Sequence, residues 1–151
     1  MIHDTAIIGA APFWFPRADD GTRPRNVVTN AGVDVHDDAD VFPFAVVVNG
    51  TARPTVICPG ARIGPRAQIG HDSIIGRHAC IGVGAIVCGF AEIGAYSTLG
   101  AGAIINPFIK VGRNCLVGAG AVVTKDVPDN TVVAGVPAVF KRMNDPLGET
   151  E

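Results

Sequence analysis

Every sixth residue from Ile57 to Val123 is aliphatic: Ile57, Ile63, Ile69, Ile75, Ile81, Val87, Ile93, Leu99, Ile105, Val111, Val117 and Val123. Four places after each comes a small or β-branched residue: Ala61, Ala67, Ser73, Ala79, Ala85, Ala91, Ser97, Ala103, Ile109, Cys115, Ala121 and Val127. Glycine follows the aliphatic residue directly in eight of the twelve hexads, the exceptions being Cys58, Cys88, Asn106 and Thr124. A period of six is neither the 3.6 of a helix nor the alternation of an ordinary strand. Self-similarity at a fixed short period marks a solenoid, in which one thin core runs through stacked coils. The expected fold is therefore all-β, a parallel β-helix of hexapeptide repeats. With three hexads to a triangular coil, residues 18 apart stack into columns. Ile57, Ile75, Ile93 and Val111 form one; Ile63, Ile81, Leu99 and Val117 a second; Ile69, Val87, Ile105 and Val123 a third. Coils would lie about 4.8 Å apart, the strand spacing of any sheet. The glycines are read as serving sharp turns where φ > 0 is needed. The third column departs from the rule, because Cys88, Asn106 and Thr124 stand where glycine otherwise does and His71 and Gly89 come next.

The 151 residues suit one domain, and the balance of 48% hydrophobic to 17% charged residues suits a solenoid core. A net charge of −2 leaves no basic footprint for nucleic acid. No run of 18 apolar residues suggests a membrane span, and the first residues lack the basic and apolar regions of a signal peptide. The cysteines at 58, 80, 88 and 115 form no C-x-x-C and read as reduced thiols in a cytoplasmic protein.

Along the chain, Ile2 with Ala6 and Ile8 with Gly9 already follow the pattern. Residues 13–26, with two Pro, a Gly and several charges, read as a loop insertion. Phe13, Trp14 and Phe15 are expected to cap the open end of the solenoid, and Arg17, Arg23 and Arg25 to be solvated or to meet an anionic ligand. The period resumes at Val35, Val41 and Val47, with Ala39, Ala45 and Thr51 in the small places. A four-residue excess around residues 53–56 reads as a loop bulging from one corner, a candidate for acceptor contact. A single domain over residues 1–142 follows, divided into irregular coils (1–56), regular repeats (57–128) and a closing segment (129–142), with a flexible tail over 143–151.

The repeats joined to the closing V-T-K-D-V-P-D-N-T-V-V-A-G-V-P-A of residues 123–138 resemble the left-handed β-helix acyltransferases. Among these, the chain looks most like the sugar acetyltransferases that modify sialic acid or the amino group of nucleotide-linked amino sugars. The left hand of the coil is implied by this resemblance alone, and so are a homotrimer and acetyl-CoA bound in the groove between subunits. In that family a histidine followed by an acidic residue, just ahead of the next I-G, is the catalytic base. The match is Ile69-Gly70-His71-Asp72-Ser73-Ile74-Ile75-Gly76. It makes His71 the base and Asp72 the residue that raises its basicity. By position, contacts with acetyl-CoA carry over to Gly89, Ala101 and Ala119, and a cofactor-touching histidine of some relatives falls at Cys80. Lys141 and Arg142 stand where a basic pair would meet the CoA phosphates or simply be solvated. No metal is expected.

The chemistry implied is direct acyl transfer from a thioester to an amino or hydroxyl group of a sugar or sugar nucleotide. Imidazole suits the base because its unperturbed pKa lies near working pH. Adjacent strand residues face opposite ways, so Asp72 assists His71 directly only if residues 70–72 form a corner. Two other readings stand beside this one. A γ-type carbonic anhydrase shares the left-handed helix and binds zinc through three histidines; His36, His71 and His78 echo its spacing in part. A non-catalytic hexapeptide assembly module is the other.

Overall fold

Each hexad folds as a two-residue strand followed by a four-residue corner: Gln68–Ile69 leads through residues 70–73 into Ile74–Ile75. In this computed structural model residues 1–12 and 31–145 are described. The expected loop over 13–26, with Phe13, Trp14, Phe15, Arg17, Arg23 and Arg25, lies outside the described residues.

Strands 18 apart pair in parallel, which makes the three columns real. Val87 lies opposite Ile69 and Ile105, Ile93 opposite Ile75 and Val111, and Leu99 opposite Ile81 and Val117. The result is a prism with three flat faces. The first face holds Ile7–Ala10, Val46–Val48, Gln68–Ile69, Ile86–Val87, Ile104–Ile105 and Val122–Val123. The second runs from Val33–Val35 to Lys110–Val111, and the third from Asp40–Val41 to the closing strands Thr131–Ala134 and Val139–Met143. The column residues and the small residues four places on point inward and are almost all fully buried. Among the described residues there is no helix, hence none long and apolar enough to cross a membrane.

The lower coils show how the sequence absorbs its insertions. Val35, Val41 and Val47 pair with Ile57, Ile63 and Ile69, an offset of 22 instead of 18. Below them Ile8 pairs with Val47 and Ile2 bridges to Val41. The inward place expected for Thr51 belongs instead to Thr55, which is fully buried 18 residues before Ser73. Thr51 stands in the inserted loop.

The corners correct the expectation for glycine. Positive φ falls two places beyond the glycine, at residues such as Asp72 (φ 60°), His78 (54°) and Tyr96 (61°), and likewise at Phe90 (62°) beyond Cys88. With a hydrogen bond such as Ala67 N–H to Gly64 O (3.1 Å) closing the turn, this is type II-like geometry. Proline suits the second place of such a turn, where Pro65 sits. The glycines themselves, Gly70 and Gly82 among them, have no positive φ. They allow coils to approach: a Cβ on Gly82 would stand 2.6 Å from the carbonyl oxygen of Leu99.

Of the tail expected over 143–151, residues 143–145 are described, and these are tied to the closing strands. Met143 belongs to the last strand and pairs with Thr131. The Asn144 side chain donates to the Asn114 carbonyl (3.0 Å), and Asn114 Nδ2 donates to the carbonyl of Asp145 (2.8 Å).

Candidate active site

His71 and Asp72 occupy the two central places of the corner between the first and second faces. The left-handed backbone at Asp72 (φ 60°) bends the chain so that these neighbours meet instead of facing apart. His71 Nδ1 lies 2.8 Å from Asp72 Oδ2. The condition set by the sequence, that residues 70–72 form a corner, is met.

Asp72 is fully buried and saturated with donors. Oδ2 accepts the Thr51 N–H (3.0 Å) and the Thr51 hydroxyl (2.7 Å). Oδ1 accepts the N–H groups of Ala52 and Arg53, both at 2.7 Å. Burial pushes this carboxyl up, but the Arg53 N–H, the Thr51 hydroxyl, His71 and the Ala52 N–H more than reverse it. They hold the group well below the usual carboxylate range. An ionised carboxylate can only accept, so His71 Nδ1 must carry the proton between them. In the neutral ring that leaves Nε2 unprotonated. The Asp72 N–H donates to Thr55 Oγ1 (2.9 Å), Ser73 Oγ donates to the Cys88 carbonyl (3.0 Å), and Arg53 Nε donates to the Asp72 carbonyl (2.9 Å). The Arg53 guanidinium also pairs with Glu92 (3.1 Å), which Lys110 holds from the other side (3.4 Å).

The far edge of the imidazole faces Gly89 so closely that a Cβ there would stand 2.7 Å from Cε1 and Nε2. Only glycine leaves room for the ring. Among the described residues the Gly89 N–H makes none of the backbone hydrogen bonds between neighbouring coils. Phe90 meets the His71 ring edge-on at 5.2 Å, and Phe108 stacks on Phe90 at 4.9 Å. His71 and Gly89 open onto a groove of about 490 Å³, walled largely by Ile86, Val87, Cys88, Phe90, Pro107 and Phe108. That volume lies within the range of small-molecule sites.

The structure thus joins His71, Asp72 and Gly89, and it separates the other expected contacts. Ala101 and Ala119 lie on the corner between the third and first faces, an exposed edge bared by Gly84, Gly102 and Gly120, where a Cβ would meet nothing within 4 Å. Cys80 is half-buried on the third face between Arg62 and Thr98. Lys141 and Arg142 are exposed in the last strand, Arg142 donating to the Met143 carbonyl (2.9 Å). His36 and His78 share the remaining corner, away from His71, and His78 packs against Tyr96 (5.2 Å). Among the described residues no three His, Cys, Asp or Glu side chains are grouped to hold a metal ion.

The residues that sequence reasoning missed are Thr51, Ala52, Arg53, Phe90 and Phe108. The loop read as a candidate for acceptor contact turns its amides inward onto Asp72. One signal was available: Val47 stands in the phase of the third column, so the insertion that follows it must fall on the corner of His71, one coil below.

The family model "Bacterial transferase hexapeptide (six repeats)" matches residues 54–89 and 90–125. The chain is 47% identical over 138 residues to UDP-3-O-acylglucosamine N-acyltransferase 1 of Gloeobacter violaceus, covering 91% of this chain and 39% of that protein. Among solved structures, the acetyltransferase domain of PglB from Neisseria gonorrhoeae in complex with acetyl coenzyme A is 28% identical with a TM-score of 0.73, over 93% of this chain and 56% of that one. UDP-N-acetylglucosamine O-acyltransferase (LpxA) from Moraxella catarrhalis, 22% identical over 95% of this chain and 54% of that one, shares the fold with a TM-score of 0.83. The prism is a left-handed parallel β-helix. The chain spans less than two thirds of the length of each of these proteins.

Proposed function

We propose that the chain, whose residues 54–125 match the bacterial transferase hexapeptide model, is an acyltransferase that uses acetyl-CoA to acylate an amino or hydroxyl group of a sugar or sugar nucleotide. The observation that carries this is the His71–Asp72 pair at the mouth of an apolar groove, its carboxylate held ionised so that Nε2 is free to take a proton. The donor and acceptor classes draw on relatives, one named for a UDP-acylglucosamine and one solved with acetyl coenzyme A.

In the proposed reaction the acceptor N or O attacks the thioester carbonyl carbon while His71 Nε2 takes its proton. The tetrahedral intermediate collapses with cleavage of the C–S bond. The imidazolium then returns the proton to the departing thiolate, giving the acylated sugar and free CoA. Asp72 holds the ring and favours the imidazolium. The Gly89 N–H, uncommitted to the coil ladder, is the proposed donor to the oxyanion.

Ala101 and Ala119 are on another corner of the same chain, so they reach the donor only if a neighbouring copy brings its bare edge to the His71 corner. A closed homotrimer does this three times over. In that arrangement Cys80 would line the donor groove and Lys141 and Arg142 would stand at its end. A cytosolic donor and four unpaired thiols fit a cytoplasmic protein.

Two measurements test the proposal together. Acetyl-CoA should raise the melting temperature, and a screen of amino-sugar nucleotides should find one that releases free CoA thiol. No stabilisation by any acyl-CoA, together with no thiol release across the panel, would refute it.

A further inference from the structure

The His71 corner differs from the others in what lies one coil below it. There the chain carries four extra residues, and the N–H groups of Thr51, Ala52 and Arg53 and the Thr51 hydroxyl all turn onto the two oxygens of Asp72. We propose that residues 51–53 are a positioning clasp: they fill the acceptor sites of Asp72 and so fix the His71 ring with its proton on Nδ1 and its Nε2 lone pair toward the groove.

Oδ1 takes two backbone donors, and Oδ2 takes the Thr51 N–H, the Thr51 hydroxyl and His71 Nδ1. With four of its five donors supplied from below, the carboxylate can neither rotate away from the ring nor present a proton to it. A histidine side chain free in water favours the proton on Nε2, the tautomer that is useless as a base on that nitrogen. The clasp reverses the preference without touching substrate, so Thr51 and Arg53 are positioning residues.

Two features hold the clasp shut. Gly50 packs directly against the Arg53 carbonyl, where a Cβ would collide with it. The Arg53 side chain reaches past its own amide to the Asp72 carbonyl (2.9 Å) and on to Glu92 (3.1 Å). The insertion is thus anchored at both ends to the corner it supports. The catalytic consequence rests on the acyltransferase reading; the tautomer does not.

Nitrogen NMR of the His71 ring in the full-length, isotopically labelled protein reads the tautomer directly. Gly50→Ala opens the clasp while leaving His71 and Asp72 in place, Thr51→Val removes the shared hydroxyl, and Thr51→Ser keeps it. The wild type and Thr51→Ser should show a protonated Nδ1 in the neutral ring. Thr51→Val and Gly50→Ala should lose that preference, with kcat falling and the KM for donor unchanged. A neutral wild-type ring protonated on Nε2, or an Nδ1–H tautomer that persists in Thr51→Val, would overturn the proposal; Thr51→Val decides alone if Gly50→Ala does not fold. The expected tautomers without any acyl transfer would refute the functional reading and leave the clasp standing. Acyl transfer with a clasp-independent tautomer would do the reverse.

Discussion

At the scale of single residues, a fully buried carboxylate persists in its ionised form only when donors replace the water it has lost. Asp72 has five such donors, and its pKa is depressed in the folded chain. The sign of the pH effect follows. With the folded pKa below the unfolded value of about 4, the stabilisation is complete above that value and is lost as pH falls through it toward the folded one. Asp72→Asn should remove this acid sensitivity. At pH 7 it should also cost about 1–3 kcal/mol for each donor left facing an amide NH₂. Urea unfolding of both proteins between pH 3 and pH 7 checks the two effects at once. His71 was singled out because residues 69–76 resemble a family motif in which an acidic residue follows a histidine. Thr51 was not, because counting hexads straight through the insertion assigned it the inward place that Thr55 occupies.

At the scale of the repeat, two kinds of glycine stand two places apart and do different work. Gly82 leaves room for the Leu99 carbonyl, whereas Gly84 has φ +63° and open space around it. Gly82→Ala should therefore destabilise by about 1–3 kcal/mol, the usual range for forced overpacking. Gly84→Asn should stay within about 0.5 kcal/mol, since Asn tolerates the left-handed region. Denaturant midpoints for the pair decide this, and equal losses would contradict the division. The six-residue period was plain in the sequence because each coil repeats the same burial. The turn geometry was concealed because aromatic residues such as Phe90, Tyr96 and Phe108 occupy the left-handed place, types that do not announce it. Their side chains stack along the corners, Phe90 on Phe108 and His78 against Tyr96, so that neighbouring coils support an unfavourable backbone.

At the scale of the molecule, the three corners of the prism have distinct characters. One carries His71 and the aromatic stack, one carries His78, Tyr96 and Arg113, and one is stripped to Ala101, Ala119 and the neighbouring glycines. A site that needs the first and the third is incomplete in a single chain. The protein should run in light-scattering chromatography at three times its chain mass. Mixed oligomers of two inactive variants, His71→Ala and Ala101→Trp, should regain activity, because an intact corner of each kind then meets in some sites. Activity that stays absent in verified mixed oligomers would contradict a shared site. The columns within one chain could be read from an 18-residue spacing. Which corners meet between copies could not, because nothing in the repeat encodes the neighbour.

In the proposed reaction His71 takes the acceptor's proton during acyl transfer. Once an accepting sugar is in hand, the rate of CoA thiol release by His71→Ala at saturating substrates tests it most directly, with circular dichroism and acetyl-CoA binding as controls. The expected result is a fall in kcat of about 10²–10⁴-fold with fold and donor binding retained. A variant that turns over at the wild-type rate would contradict it.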